Sequence, residues 1–106
     1  MSYRFMRILV FFDLPPETLE DRRNYRHFRK FLMSSGYIML QESVYVKLAL
    51  NKTVVDSSVA AIRNHKPPKG DVQILTVTEK QFARMEYIVG QRQWDIIDTD
   101  ERFIVL

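Results

Sequence analysis

The 106-residue sequence has no cysteine, only two histidines and three glycines, and no long hydrophobic run. The lack of cysteine excludes disulfides and thiolate metal sites, and it fits a reducing cytoplasm. His27 and His65 do not have the spacing of a zinc site. No glycine-rich phosphate loop is present, which argues against a nucleotide-dependent enzyme. No apolar stretch approaches the roughly 20 residues that span a bilayer, and the N-terminal residues do not fit a signal peptide. A cytoplasmic protein without a membrane partner is therefore expected.

The first apolar segment of the chain ends on a carboxylate. Residues 5–12, FMRILVFF, are almost continuously apolar and predict a strand that is buried on both faces of a sheet. Asp13 follows, and Leu14-Pro15-Pro16 then breaks the chain. A carboxylate at the rim of a sheet can reach a metal ion or a second subunit without burial in the core. The alternative interpretation is an Asp that only initiates a turn before proline.

The next segment is the most basic part of the molecule. Thr18, with Asp21 three residues later, predicts the start of a helix, and Gly36 predicts its end. Five of the 16 Lys and Arg residues fall within this helix, and most of them are Arg, whose guanidinium group can bind phosphate in a bidentate manner. A solvated amphipathic helix is the alternative interpretation. The candidate nucleic-acid-binding residues are Arg22, Arg23, Arg26, Arg29 and Lys30.

Patterns along the rest of the chain predict three more strands and a second long helix. Residues 37–50 are predicted to form two strands with a tight corner near Gln41-Glu42-Ser43. A helix is predicted to begin near Thr53, with Asp56 three residues later, and to end at residues 64–70. The next predicted strand covers residues 72–78. This order predicts an α+β, ferredoxin-like βαββαβ fold, with an antiparallel sheet and two helices on one face.

Residues 79–106 exceed the predicted ferredoxin-like core of residues 1–78 and are interpreted as a C-terminal extension of the same single domain. A short helix is expected within residues 79–87, and Tyr87-Ile88-Val89 is a candidate strand. The acidic residues Asp98, Asp100 and Glu101 are interpreted as a hydrated loop, with a metal site as the alternative. The last four residues are apolar and predict an extra edge strand, in this subunit or in a neighbour. They are Phe103, Ile104, Val105 and Leu106.

Because cysteine is absent and the histidines lack zinc-site spacing, a metal site in this chain would have to use oxygen ligands. Magnesium commonly takes one or two carboxylates together with substrate phosphate and water. Asp13 supplies one carboxylate per chain, so two copies of the chain meeting across a twofold axis would supply two.

Four features together resemble a known family. They are FFDLP at a strand end, the helix RNYRHFRKFL, the segment GYIMLQESVY and the apolar end of the chain. In this order they resemble the small CRISPR-associated protein of the Cas-two family, the partner of the Cas-one integrase in spacer acquisition. The resemblance covers nearly the whole chain. The segment LTVTEKQF, followed by a long C-terminal part, looks like the versions from type II systems.

The resemblance implies a bacterial cytoplasmic homodimer in which the two copies of Asp13 face each other. In the family, the matching residue binds a divalent metal such as Mg²⁺ or Mn²⁺ and is the catalytic residue. Ser43 and Tyr45 match the QxSVY segment, and the resemblance implies packing or dimer contacts near the site. The basic helix matches only as a charged surface, and the residues 103–106 match a strand that docks the integrase or completes the dimer.

Two classes of function follow from the resemblance. The first and favoured one is a dimeric scaffold that binds double-stranded DNA and bridges integrase dimers, with weak or dispensable catalysis. The second is a metal-dependent endonuclease, acting on RNA or on double-stranded DNA. A ferredoxin-like RNA-binding module without catalysis is a weaker alternative, because the pair of sheet-face motifs with stacking aromatic residues is missing.

Overall fold

Four strands and three helices make up the part of the chain, residues 5–90, that the computed structural model describes. In chain order they are β1 (Met6–Asp13), α1 (Leu19–Ser34), β2 (Ile38–Gln41), β3 (Val44–Ala49), α2 (Lys52–Asn64), β4 (Asp71–Thr78) and α3 (Glu79–Ala83). The strands form one antiparallel sheet in the order β2-β3-β1-β4. The predicted ferredoxin-like fold is confirmed.

The central strand β1 is buried because both of its faces are covered. Its even-numbered apolar residues, Ile8 and Val10 among them, face α1 and α2 and belong to the main core with Phe28 and Leu32 of α1. Leu9 points to the opposite face, where it joins a smaller cluster. This two-sided burial is the physical reason for the unbroken apolar run in the sequence.

The second face of the sheet, which we call the open face, is only partly covered. Phe82 of α3 packs there against Leu9 and Val46. Ile38 and Leu75, which flank Val46 and Leu9 in the strand register, remain 51% and 52% exposed. The open face therefore presents apolar surface to solvent, and contiguous exposed apolar surface is a feature of protein–protein interaction sites.

The beginning of α1 follows the predicted signals. Thr18 Oγ1 accepts a hydrogen bond from the backbone N–H of Asp21 (2.9 Å), and Asp21 Oδ2 accepts one from the N–H of Thr18 (3.2 Å). This reciprocal capping box confirms the predicted helix start. Gly36 follows the helix with φ of 95°. A left-handed backbone at this position favours glycine, as the sequence indicated.

The predicted start of α2 near Thr53 is confirmed to within one residue, since the helix begins at Lys52, but the residue that caps it is Asn51. The side chain of Asn51 accepts a hydrogen bond from the N–H of Val54 (2.9 Å), and Asn is among the strongest N-cap residues. Asp56 does not act as a capping-box partner and accepts instead from Lys52 Nζ (3.2 Å).

The structure also corrects two predictions around β4. The strand begins at Asp71, one residue before the predicted start, because Asp71 still pairs with Asp13 of β1. Tyr87-Ile88-Val89 is not a strand. Ile88 and Val89 are 87% and 90% exposed, so no apolar contact holds an extended backbone against the sheet. The short helix is confirmed, although it ends at Ala83.

No helix within residues 5–90 is long and apolar enough to cross a membrane. The predicted terminal strand at residues 103–106 lies outside the described residues, as does the acidic segment at residues 98–101.

Candidate nucleic-acid and metal site

Asp13 is the last residue of β1, and another carboxylate lies directly opposite it. The antiparallel register pairs Asp13 with Asp71, the first residue of β4. Both side chains are exposed. Directly opposed residues of an antiparallel pair have Cβ atoms about 4.5–5.5 Å apart on one face. We call this pair the acidic rim. Sequence reasoning identified Asp13 and missed Asp71, whose position depends on the register between two distant strands.

An open cavity of about 330 Å³ lies at the acidic rim. Its lining includes both aspartates, together with Ser43 and Gln73. Within residues 5–90, neither aspartate side chain accepts a hydrogen bond or forms an ion pair. The same part of the chain contains no group of three or more His, Cys, Asp or Glu residues suited to hold a metal ion. A cation bound here would therefore use two carboxylates and neutral oxygens.

Gly70 brings the loop after α2 onto the end of β1. Its φ is 94°, and a Cβ atom placed on it would lie 2.5 Å from the carbonyl oxygen of Asp13 and 2.8 Å from Leu14 Cδ2. Only glycine fits both this backbone conformation and this close approach. Because Gly70 precedes Asp71, the same contact fixes where the second carboxylate of the acidic rim enters the sheet.

Ser43 lies at the corner between β2 and β3 with a φ of 66°, which is uncommon for a residue other than glycine. Its carbonyl oxygen accepts a hydrogen bond from the N–H of Phe12 (3.1 Å), so the corner is held against the end of β1. Ser43 lines the cavity at the acidic rim and also a second cavity of about 540 Å³. That second cavity is bordered by Arg22 and Arg26 of α1. Ser43 therefore connects the acidic rim to the basic helix.

The five basic candidates of α1 are all exposed, and they divide between two sides of the helix. Arg22, Arg26 and Arg29 recur at i, i+4 and i+7 and share the side toward the β2–β3 corner. Arg23 and Lys30 lie on the face opposite the core. Within residues 5–90, none of the five forms an ion pair. Their charges are thus available to an anionic ligand, and we call these five residues the basic face.

Two members of the basic face are already oriented by the protein. Arg22 Nη1 donates to the carbonyl oxygen of Pro16 (3.0 Å). Arg29 Nε donates to the hydroxyl of Tyr45 (2.8 Å), which lies under α1 and is almost fully buried. The ring of Tyr45 packs against Phe12, with centroids 5.6 Å apart. Tyr45 thus links the basic face to the strand that carries Asp13.

Comparison with known proteins gives one consistent family. The profile described as "CRISPR associated protein Cas2" matches residues 6–85. A protein of Treponema denticola, "CRISPR-associated endoribonuclease Cas2", is 56% identical over 101 residues, which is 95% of this chain and all of that protein. A Streptococcus mutans protein of the same name is 48% identical, covering 95% of this chain and 93% of the relative. A solved structure titled "Crystal structure of cas2" matches the fold with a TM-score of 0.57 at 18% identity, covering 83% of this chain and 90% of that one.

Proposed function

The chain belongs to the Cas2 family of CRISPR-associated proteins, and from this premise we propose that it is a dimeric scaffold that binds double-stranded DNA during spacer acquisition. The basic face is the observation that supports the proposal most directly. Five exposed cations without ion-pair partners in the described part of the chain lie along one helix. Such a row binds the sugar-phosphate backbone and carries affinity without base readout.

The homodimer is proposed to form through the open face. Ile38, Leu48 and Leu75 are exposed there, and a second copy would remove this apolar surface from water. Asp13 lies on the same face of the sheet, since it follows Leu9 and Phe11 with the strand period of two. Twofold pairing across the open face would therefore bring the acidic rims of two copies toward each other.

The integrase partner and the role of the chain end remain proposals. Residues Phe103–Leu106 are expected to dock the integrase or to complete the sheet of the dimer mate, as an added edge strand would. The cytoplasmic location and the type II-like version are likewise predictions from the sequence.

A metal-dependent endoribonuclease is the second candidate function, and the acidic rim is the observation that favours it. The relatives from Treponema denticola and Streptococcus mutans are named endoribonucleases. The donor set at the rim consists of oxygen atoms only, which suits Mg²⁺ or Mn²⁺. When bound, such an ion activates water and stabilises charge on the scissile phosphate. Asp13 would hold the ion, while Arg22 and Arg26 would bind phosphates next to the cleaved one.

Substitution of Asp13 separates the two functions. Asp13→Asn keeps the size of the side chain at an exposed strand end, so the fold and the binding of duplex DNA should be retained. Cleavage of RNA or duplex DNA that depends on Mg²⁺ should be lost, since the charged ligand is gone. Cleavage is followed by gel electrophoresis with and without chelator, and binding by fluorescence anisotropy. Retained cleavage would place the activity elsewhere. If Asp13→Asn loses cleavage but cells still acquire spacers, the scaffold is the biological function. If spacer acquisition is lost together with cleavage, the result favours the enzyme.

A further inference from the structure

We propose that Tyr45 is a positioning residue for phosphate binding, which holds the guanidinium group of Arg29 so that its two Nη atoms are presented to a phosphate of the bound duplex. The inference rests on the proposed function, because it assumes that the basic face binds DNA, and it names the residue that fixes one of the contacts. Its basis is the hydrogen bond of 2.8 Å that Arg29 Nε donates to the hydroxyl of Tyr45.

The core fixes the position of Tyr45. Its side chain is 1% exposed and is among the largest fully buried side chains of the described residues. Its ring packs against Phe12 with centroids 5.6 Å apart, and its backbone pairs with Val10 of the central strand. A ring packed this closely holds its hydroxyl at one place. The end of the Arg29 side chain is therefore tied to a fixed point of the core.

The hydrogen bond leaves the outer end of Arg29 free for a ligand. Arg29 is exposed, and only its Nε is used by Tyr45. Within residues 5–90, Nη1 and Nη2 of Arg29 have no hydrogen-bond or ion-pair partner. A guanidinium group held at Nε can still bind one phosphate end-on, with an N–H from each Nη atom.

The rest of the basic face is held differently or not at all. Arg22 Nη1 donates to the carbonyl oxygen of Pro16, so one of its two Nη atoms is already used. The other three members make no side-chain hydrogen bond within residues 5–90. Such side chains lose rotamer freedom when they bind, which lowers affinity about two- to tenfold for each side chain. Arg29 has already lost much of this freedom in the free protein.

The alternative is that the bond serves only to give the buried hydroxyl of Tyr45 a partner. Tyr37 shows that this fold does not require one. Its side chain is 3% exposed, and its hydroxyl has no hydrogen-bond partner in the described residues. Tyr37 is therefore also the matched control, since the same atom can be removed from a buried ring that holds no arginine.

The test is a double-mutant cycle on the binding of fluorescein-labelled duplex DNA of mixed sequence. The full-length parent, Tyr45→Phe, Arg29→Ala and the double variant are titrated by fluorescence anisotropy at several salt concentrations. Tyr37→Phe is titrated as the control. Tyr45→Phe keeps the buried ring and removes only the hydroxyl, and circular dichroism confirms that each variant is folded.

We expect Tyr45→Phe to weaken binding about two- to tenfold without changing the slope of log K against log salt, since Arg29 still neutralises its phosphate but is no longer held. Arg29→Ala should weaken binding at least as much and flatten the slope by about one unit. Adding Tyr45→Phe to Arg29→Ala should have no further effect, because Tyr45 acts through Arg29. Tyr37→Phe should bind as the parent does.

A second variant tests the held guanidinium group without touching the core. Arg29→Lys keeps the charge but replaces the planar fork with a single amino group. It should bind duplex more weakly than the parent, with an unchanged salt slope. Binding equal to that of the parent would show that a held fork is not needed, and it would overturn the inference.

The outcomes distinguish this inference from the function on which it rests. If Tyr45→Phe binds like the parent while substitution of the basic face weakens binding, the inference is overturned and the DNA-binding function stands. If Tyr45→Phe weakens binding equally with and without Arg29, or Tyr37→Phe has the same effect, the role of the hydroxyl is structural and the inference is overturned. If no substitution of the basic face changes binding, or the parent does not bind duplex, both are overturned.

Discussion

Substitution of Gly70 tests how the acidic rim is built. Gly70 and Gly36 have nearly the same backbone conformation, with φ of 94° and 95°. A side chain in the left-handed region costs about 1–2 kcal/mol, and this cost applies at both positions. The surroundings differ, because a Cβ on Gly36 would meet the flexible side chain of Lys47 at 3.6 Å (Cε) and 3.9 Å (Cδ), which are ordinary contacts.

At Gly70 the added methyl group also collides with backbone. Its distance of 2.5 Å from the Asp13 carbonyl oxygen is well short of ordinary contact, which begins at 3.4 Å. Neither the end of β1 nor the loop after α2 can yield by a side-chain rotation, so relief requires the strand pair to open. Overpacking of this kind costs about 1–3 kcal/mol in addition. Gly70→Ala should therefore be less stable than Gly36→Ala by at least about 1 kcal/mol.

Urea unfolding followed by circular dichroism measures this difference, with all proteins at one concentration because a dimer would make stability concentration-dependent. In thermal melts the difference corresponds to about 4 °C or more for a domain of this size. Gly90→Ala is a further control, since φ is 98° and no atom of the described residues lies within 4 Å of the added atom. Equal destabilisation by Gly70→Ala and Gly36→Ala would refute the close approach, and with it the account of how Asp71 is positioned.

Three further predictions concern the basic face, a buried tyrosine and the end of the chain. Arg22→Ala with Arg26→Ala should weaken duplex binding evenly across sequences and flatten the plot of log K against log salt by about two units; an unchanged slope would place the DNA elsewhere. Burial raises the pKa of Tyr37 to about 12, so stability should be constant below the ordinary pKa of 10 and fall as pH rises from 10 to 12. Tyr37→Phe should abolish this loss of stability at alkaline pH. It should not lower stability near neutral pH, since the buried hydroxyl has no hydrogen-bond partner in the described residues. If the variant loses as much stability as the parent as pH rises from 10 to 12, Tyr37 is not the group responsible. Deletion of residues 102–106 should disrupt the integrase complex in a pull-down or the homodimer in sedimentation, and survival of both would make the segment dispensable.

The sequence predicted those parts of the fold that are determined by residues close together in the chain. The run before Asp13, the capping pair at the start of α1 and the glycine at its end are all local, and each was confirmed. The start of α2 was predicted to within one residue, but its N-cap was not identified, because Asn51 and Thr53 are both residue types that cap helices. Sequence alone does not show which of them has the extended backbone that an N-cap requires, and the structure finds it at Asn51.

Long-range register explains what the sequence could not show. In β3 the residues Val44, Val46 and Leu48 alternate with Tyr45, Lys47 and Ala49, and periodicity alone does not decide which set lies under the helices. The structure places Tyr45 and Ala49 in the core under α1 and α2, and Val46 on the open face. The pairing of Asp13 with Asp71 has the same origin, because it joins the end of the first strand to the start of the fourth. A carboxylate that seemed single in the sequence has a neighbour in the fold.

The position of Ser43 between two cavities is the reason why the two proposed functions, binding and cleavage, can be tested separately. Arg22 and Arg26 border one side of the corner that Ser43 forms, and the acidic rim borders the other. The two Arg side chains would attract a phosphate backbone and supply binding affinity. The carboxylates would repel phosphate unless a cation lay between them. In the absence of metal, the acidic rim should therefore lower affinity slightly, and removal of one carboxylate should not impair binding. With a metal ion bound as proposed, Asp13 would hold a cation that attracts the phosphate. We therefore propose that scaffold and nuclease would be two states of one surface, set by whether a divalent cation occupies the acidic rim.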